Sequence, residues 1–323
     1  FSPCRMLPVW ARLASTSTGL RACAPLASGG QRSRRQMSSS LPPGVAPFFQ
    51  YASECNITVG LQSGMEAIHA MGLPWAGTIV VSGIVIRLAT APFHLQAEKL
   101  FAKRLHATNF FSQKILNLLS NKYCVKVAPN AAGTKLVLQT KDERIVKAAD
   151  EYLATNVTAA LHDQRLQASR ITNLKMASVP VWILSSFALR NIISSDFHPS
   201  FPGGLWVEDL LLPDPYFVLP FAVGVMGFLN LWSQRKIYPA LGNRSPVATK
   251  TYDAVLAFFT TLGVYIMTGL PACIPLFWLT VSVTGFAQAQ LLRHPKVKKA
   301  LGIQRLPTDS ATPLRDLFLM RKK

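Results

Sequence analysis

Acidic residues are missing from the start of this chain: the first is Glu54, and the stretch FSPCRMLPVWARLASTSTGLRACAPLASGGQRSRRQMSSS holds six Arg, no Lys and no acid. An Arg-rich, Ser-rich, acid-free segment has the chemistry of a mitochondrial transit peptide, and the lack of a compact apolar run excludes a secretory signal. Residues 1–37 are therefore read as a presequence, with RRQMSSS marking the processing region near Met37, and residues 38–54 as a linker. Cysteine is sparse. The five Cys include no pair at C-x-x-C separation, which excludes a zinc ribbon and a disulfide framework, and no metal or cofactor is expected. No G-x-x-x-x-G-K-[ST] motif is present, so no phosphate-cradling loop drives the chemistry. Charge is scarce as well: 15% of residues against 50% hydrophobic, a balance that places the chain among membrane proteins. The net charge of +19 falls in blocks around apolar runs without interleaved aromatics, which argues against nucleic acid as a partner.

What the chain does have is apolar length. Five stretches reach the roughly 20 residues that a bilayer core of about 30 Å requires: 72–95, 174–194, 216–234, 252–270 and 274–292. The last two are separated by GLPACIP, a Pro and Gly turn that divides one long uncharged run into two helices. The charges between them alternate. Residues 96–175 carry 13 Lys and Arg against six acids, residues 195–215 carry only acids, residues 235–250 carry only bases, and the segment from Arg293 has nine bases against two acids. The positive-inside rule then puts the N-terminal side in the intermembrane space and the C-terminus in the matrix. Residues 195–215 become an intermembrane-space loop, and 293–323 a basic matrix tail suited to anchoring on anionic lipid.

Two further elements complete the expected architecture. In residues 55–71, Ile57, Leu61, Met65 and Ile68 recur at helical spacing, as in an amphipathic helix lying in the membrane interface, with His69 on its solvated side. Residues 96–173 contain two helical patterns separated by VAPNAAGT, a matrix-side helical hairpin. The fold class is thus an all-α membrane protein: five transmembrane helices, an interfacial amphipathic helix and a helical hairpin.

One residue breaks the pattern. Arg87 is the only formally charged side chain between Gly72 and Leu95, about 20 Å along a helix from Pro74 and about 12 Å from Leu95. An ionisable residue inside a span is by default a functional candidate, the alternative being a side chain that snorkels to the interface. Thr90 and His94 extend a polar line toward the same end. Arg190, near the outer end of its span, is placed to snorkel. Gln288 and Asn230 are secondary candidates, with a structural interhelical hydrogen bond as the competing account of each.

These residues resemble a family. GLPWAG with Arg87 beyond it, PVWILSSFALRN and LPACIPLFWLTVSVTGFAQAQLLR, in this order and on these spans, are similar to the YidC/Oxa/Alb membrane protein insertases, and within them to the mitochondrial cytochrome c oxidase assembly branch. The closing motif is carried by Pro271, Phe277, Trp278 and Gln288, with Phe277 standing where the family more usually has Tyr. The resemblance implies a five-helix bundle around a hydrophilic groove open to the inside and to lipid, with Arg87 in that groove; Gln288 and Asn230 are the secondary choices for its wall. It implies a non-enzymatic insertase that receives newly made membrane proteins, with the C-terminal tail of cytochrome c oxidase subunit 2 as the expected substrate. Acidic segments leaving a negative matrix would gain about 2.3 kcal/mol per charge per 100 mV. Ribosome tethering is not expected from the short segment after Arg293. The rivals are an anion or solute transporter using Arg87 as its site and an assembly chaperone that holds a subunit without moving it.

Overall fold

In a computed structural model of the protein, the described residues are 46–129, 136–140, 142–194, 201–237, 246–306 and 309–318. The expected presequence lies outside them, as do residues 195–200 of the expected intermembrane-space loop. The contacts below fall within one compact unit, Pro47–Lys323. The order of elements is α1 (Ala46–Glu54), α2 (Asn56–Ala70), α3 (Trp75–Tyr123), β1 (Val127–Pro129), β2 (Leu136–Leu138), α4 (Glu143–Asp163), α5 (Ala168–Met176) and α6 (Ser178–Ile193). There follow β3 (Pro202–Gly204), β4 (Val207–Asp209), α7 (Val218–Ile237), α8 (Pro246–Thr268), α9 (Cys273–Leu291), α10 (Pro295–Ala300) and α11 (Pro313–Phe318). The chain is mostly helical, and α3 and the α5–α6 run Ala168–Ile193 are long and apolar enough to cross a bilayer.

The longest element is α3, at 49 residues. The sequence suggests a boundary after Leu95, where lipid-compatible residues give way to charged ones. The helix ignores it. No glycine or proline lies between Leu95 and Tyr123 to break the hydrogen-bond ladder, and Pro92 sits inside the helix. One rod of about 74 Å therefore joins the expected first span to the first helix of the expected hairpin. Its lower half packs on α4, where Val157, Leu161 and Leu166 meet Leu100, Ala107 and Phe111. Asp142 caps α4 by accepting the Arg144 N–H at 2.9 Å. Within VAPNAAGT, Val127–Pro129 form a strand that pairs antiparallel with β2, Val127 opposite Leu138, and residues 130–135 lie outside the described residues.

Contact pairs fix the directions of the long helices. Trp75 at the start of α3 and Cys273 at the start of α9 share one buried cluster, and Leu95 and Ala102 meet Leu292 and Ile303 at the other end, so α3 and α9 run the same way. Between them, α6 runs oppositely: Ser178 at its start reaches His94, while Leu189 and Ile192 near its end join the Trp75 cluster. The α7 helix returns, with Leu219 in the upper cluster, Asn230 bonded to Ser282 and Ser233 bonded to Gln290. Val264 of α8 packs on Gly224 near the start of α7, so α8 runs back again before the short turn into α9. Large apolar side chains such as Phe221, Phe228, Phe258, Phe259 and Tyr265 remain exposed on α7 and α8, a surface suited to lipid rather than water.

The upper end is closed. Phe201 is fully buried and packs on Trp75 with ring centroids 4.8 Å apart, and the β3–β4 hairpin feeds Val207 and Leu210 into the same cluster. Backbone bonds from Ala272 to Leu212 and from Cys273 to Leu210 tie the hairpin segment to the start of α9. Asp214 is buried but satisfied, accepting from the Trp206 indole and from the Tyr216 and Leu219 amides. His69, placed by the sequence on a solvated face, is instead half-buried and stacks on Trp75 at 4.0 Å, with its Nδ1 2.7 Å from the Leu73 carbonyl oxygen.

Candidate functional site

The site is built where α3 and α9 come close. Small residues make that approach possible: a Cβ added at Gly83 would stand 3.0 Å from Thr280, and one at Gly285 would stand 2.9 Å from Arg87 Nη2 and 3.1 Å from its Cζ. The Arg87 guanidinium thus lies flat against the glycine face of α9, in the space where any larger residue would put its side chain. Arg87 sits about 18 Å along α3 from Trp75, below the sealed upper cluster and above the lower one. Among the described residues no carboxylate forms an ion pair with it, and its Nε is buried without a hydrogen-bond partner.

Gln288 is three residues beyond Gly285, on the same side of α9, and its Oε1 is likewise buried and unbonded. A donor on α3 and an acceptor on α9, both withdrawn from solvent and unmatched among the described residues, form a polar seam between the two helices. Ser82, beside Gly83, adds a third buried polar group, a hydroxyl with no partner among the described residues; sequence reading passed over it because serine in a span carries no signal of its own. The other polar residues are committed. Asn230 donates to the Ser282 carbonyl at 3.1 Å, joining α7 to α9, and the Thr90 hydroxyl donates to the Ile86 and Arg87 carbonyls of its own helix. His94 Nε2 lies 3.2 Å from Ser178 Oγ, bridging α3 to α6. The structure therefore brings Arg87 and Gln288 to the α3–α9 contact and spends the Asn230 amide on a helix-to-helix bond.

Around this seam the walls are aromatic and then cationic. Trp278 donates its indole N–H to Ser186 at 3.0 Å and packs on Trp182, holding α9 to α6, while Phe277 is completely buried in the upper cluster. A hydroxyl at position 277 would need a partner in that apolar surrounding, so Phe suits the packing. On the lower side, Lys175 stands over the Phe101 ring at 5.6 Å. Lys298 lies buried between Glu98, at 3.4 Å, and Asp309, at 2.6 Å. The expected basic tail is thus partly folded: Ile303 and Leu306 pack on Ala102, and Lys298 faces inward rather than toward lipid.

No family model matches the chain. The chain is 27% identical over 268 residues to "Cytochrome c oxidase assembly protein COX18, mitochondrial" of Homo sapiens, covering 78% of this chain and 75% of that protein. It is 24% identical over 268 residues to "Mitochondrial inner membrane protein OXA1" of Arabidopsis thaliana, covering 81% and 56%. A shorter match of 100 residues at 29% identity links it to "Membrane protein insertase YidC" of Shewanella amazonensis, covering 31% and 17%. Across about four-fifths of its length, this chain is similar to the mitochondrial members of the YidC/Oxa/Alb insertase family, as its span motifs indicate.

Proposed function

We propose that this chain is an insertase of the mitochondrial inner membrane that passes a polar, acidic segment of an oxidase subunit outward through the seam between α3 and α9. In this reading the matrix lies at the lower end and α3, α6, α7, α8 and α9 form five spans. Their alternating directions and the alternating loop charges support that placement. The observation that carries the function is the Arg87 guanidinium laid over Gly285, with a buried Nε–H that no group among the described residues accepts.

The mechanism needs no cofactor. A seam that is polar partway into the bilayer shortens the apolar distance a charged segment must cross. A carboxylate entering from below meets Lys175 and then the planar Arg87 fork, which can take it in paired hydrogen bonds. Gln288 offers an acceptor to the backbone N–H groups of an unfolded strand. The sealed upper cluster keeps the pathway from becoming a pore. The substrate in this reading is the C-terminal tail of cytochrome c oxidase subunit 2; similarity to a human cytochrome c oxidase assembly protein supports the oxidase as the destination.

The Arg87 series tests this reading. Arg87→Ala should leave the protein abundant and inserted, since deleting a costly intramembrane charge does not itself destabilise a bundle. Export of the tail should fall, and Arg87→Lys should restore part of it by keeping charge without the planar fork. Protease protection of the newly made tail, read with steady-state protein level in one strain, gives both quantities. Normal export with Arg87→Ala would remove the groove role.

A further inference from the structure

Below the span-forming part of α3, two adjoining clefts lie outside the seam. The first, of about 590 Å³, is lined by Lys103 and Phe111 of α3, by Arg165 at the α4–α5 turn and by Arg170 of α5, and no acidic residue lines it. The second, of about 490 Å³, is lined by Phe93, Leu174 and Ala177 with uncharged polar residues, and shares Leu100 and Arg170 with the first. Together they form one strip that is cationic at the end away from the spans and apolar at the end nearest them.

The basic residues here are available for a ligand. Lys103, Arg165 and Arg170 are exposed, and among the described residues none has an ion-pair partner. Arg165 closes α4 in the left-handed region, at φ 56, a position where glycine is the usual occupant. The turn does not depend on its side chain, because Arg104 holds the Leu166 carbonyl and the Arg165 and Leu166 amides bond back to His162 and Leu161. A bulky cation therefore stands at a strained backbone position, at the cleft.

We propose that this strip binds one anionic phospholipid of the inner leaflet. Its phosphate is held by Lys103, Arg165 and Arg170, and its upper acyl chain lies along Leu100, Leu174 and Phe93. The assignment rests on the membrane placement given above, which puts Leu95 near the inner edge of the hydrocarbon and Lys103 about 12 Å beyond it, at headgroup depth. Basic pockets beside spans on the matrix side suit such headgroups. The polar-to-apolar gradient favours a lipid over an acidic peptide, which would leave the Phe93 end unused.

The test uses the full chain purified in a neutral detergent and examined by native mass spectrometry with dioleoyl phosphatidylglycerol or dioleoyl phosphatidylcholine. Phosphatidylglycerol should be retained and phosphatidylcholine lost. Arg165→Gly with Arg170→Gln should reduce retention roughly tenfold or more, with the melting temperature unchanged because glycine is the residue that turn prefers. Arg87→Ala should retain lipid as the parent chain does, so a failed export assay and a failed lipid assay report on different sites. Equal retention of the two lipids, or undiminished retention by the double variant, overturns the proposal. So does displacement of the lipid by an acidic peptide or by glycerol phosphate at equal concentration.

Discussion

Arg87 and Gly285 act as a pair. The guanidinium occupies the volume a β-carbon would take, so Gly285→Ala must push Nη2 and Cζ aside from 2.9 and 3.1 Å. A flexible side chain can yield, and the bundle should therefore survive, while the orientation of the fork should not. Gly285→Ala is expected to lower tail export several-fold at near-normal protein level. In combination with Arg87→Ala it should add almost nothing, because the two changes act on one interaction. Additive losses would show that Gly285 matters only for helix approach. Arg87 was legible in the sequence because it is a lone charge in a long apolar run. Its partner was not: a glycine in a span carries no mark of what crosses it. Nor could the sequence tell that Asn230 bonds across to Ser282 while Gln288 Oε1 stays unmatched, since an amide in a span has the same composition in both cases.

At the scale of elements, the segment after Arg293 departs most from its sequence reading. A run such as RHPKVKKALGIQR looks like a basic anchor for anionic lipid, yet every third or fourth position can turn inward when an acid waits there. Glu98 and Asp309 supply those acids, one from α3 and one from beyond the tail's own turn, and Asp309 also accepts the Leu306 amide. The lysine side chain is 1% exposed and the two acids 6%, so removing it takes the buried ammonium away from both carboxylates and leaves Asp309 without its ion-pair partner. Lys298→Met is expected to destabilise the packing of this segment by about 3–5 kcal/mol. Neutralising all three, with Glu98→Gln and Asp309→Asn, should recover most of that loss. Thermal melting and limited proteolysis after Arg293 measure both effects; a Lys298→Met chain as stable as the parent would show the triad to be dispensable. The 49-residue α3 was half-legible for a related reason: hydropathy changes at Leu95, but the backbone ladder, which knows nothing of lipid, continues to Tyr123.

For the whole molecule, the decisive quantity is which end faces which compartment. Loop charges and helix directions come from independent properties of the chain, one from where Lys and Arg fall and the other from which side chains meet. In the proposed five-span arrangement, both place the β3–β4 turn and the start of the β1–β2 ladder on opposite sides of the membrane. Leu205 stands at the tip of the upper hairpin, 96% exposed, and Cys124 is an exposed natural thiol just beyond α3 at the lower end. In a chain with Cys4, Cys23 and Cys55 replaced by Ser, Leu205→Cys should react with an impermeant maleimide in intact mitoplasts. Cys124 should react only after detergent opens the membrane, and the buried Cys273 should lag behind both. Labelling of positions 124 and 205 from the same side would break the five-span arrangement, and with it the direction of export, because a carboxylate would then meet Arg87 from the wrong compartment.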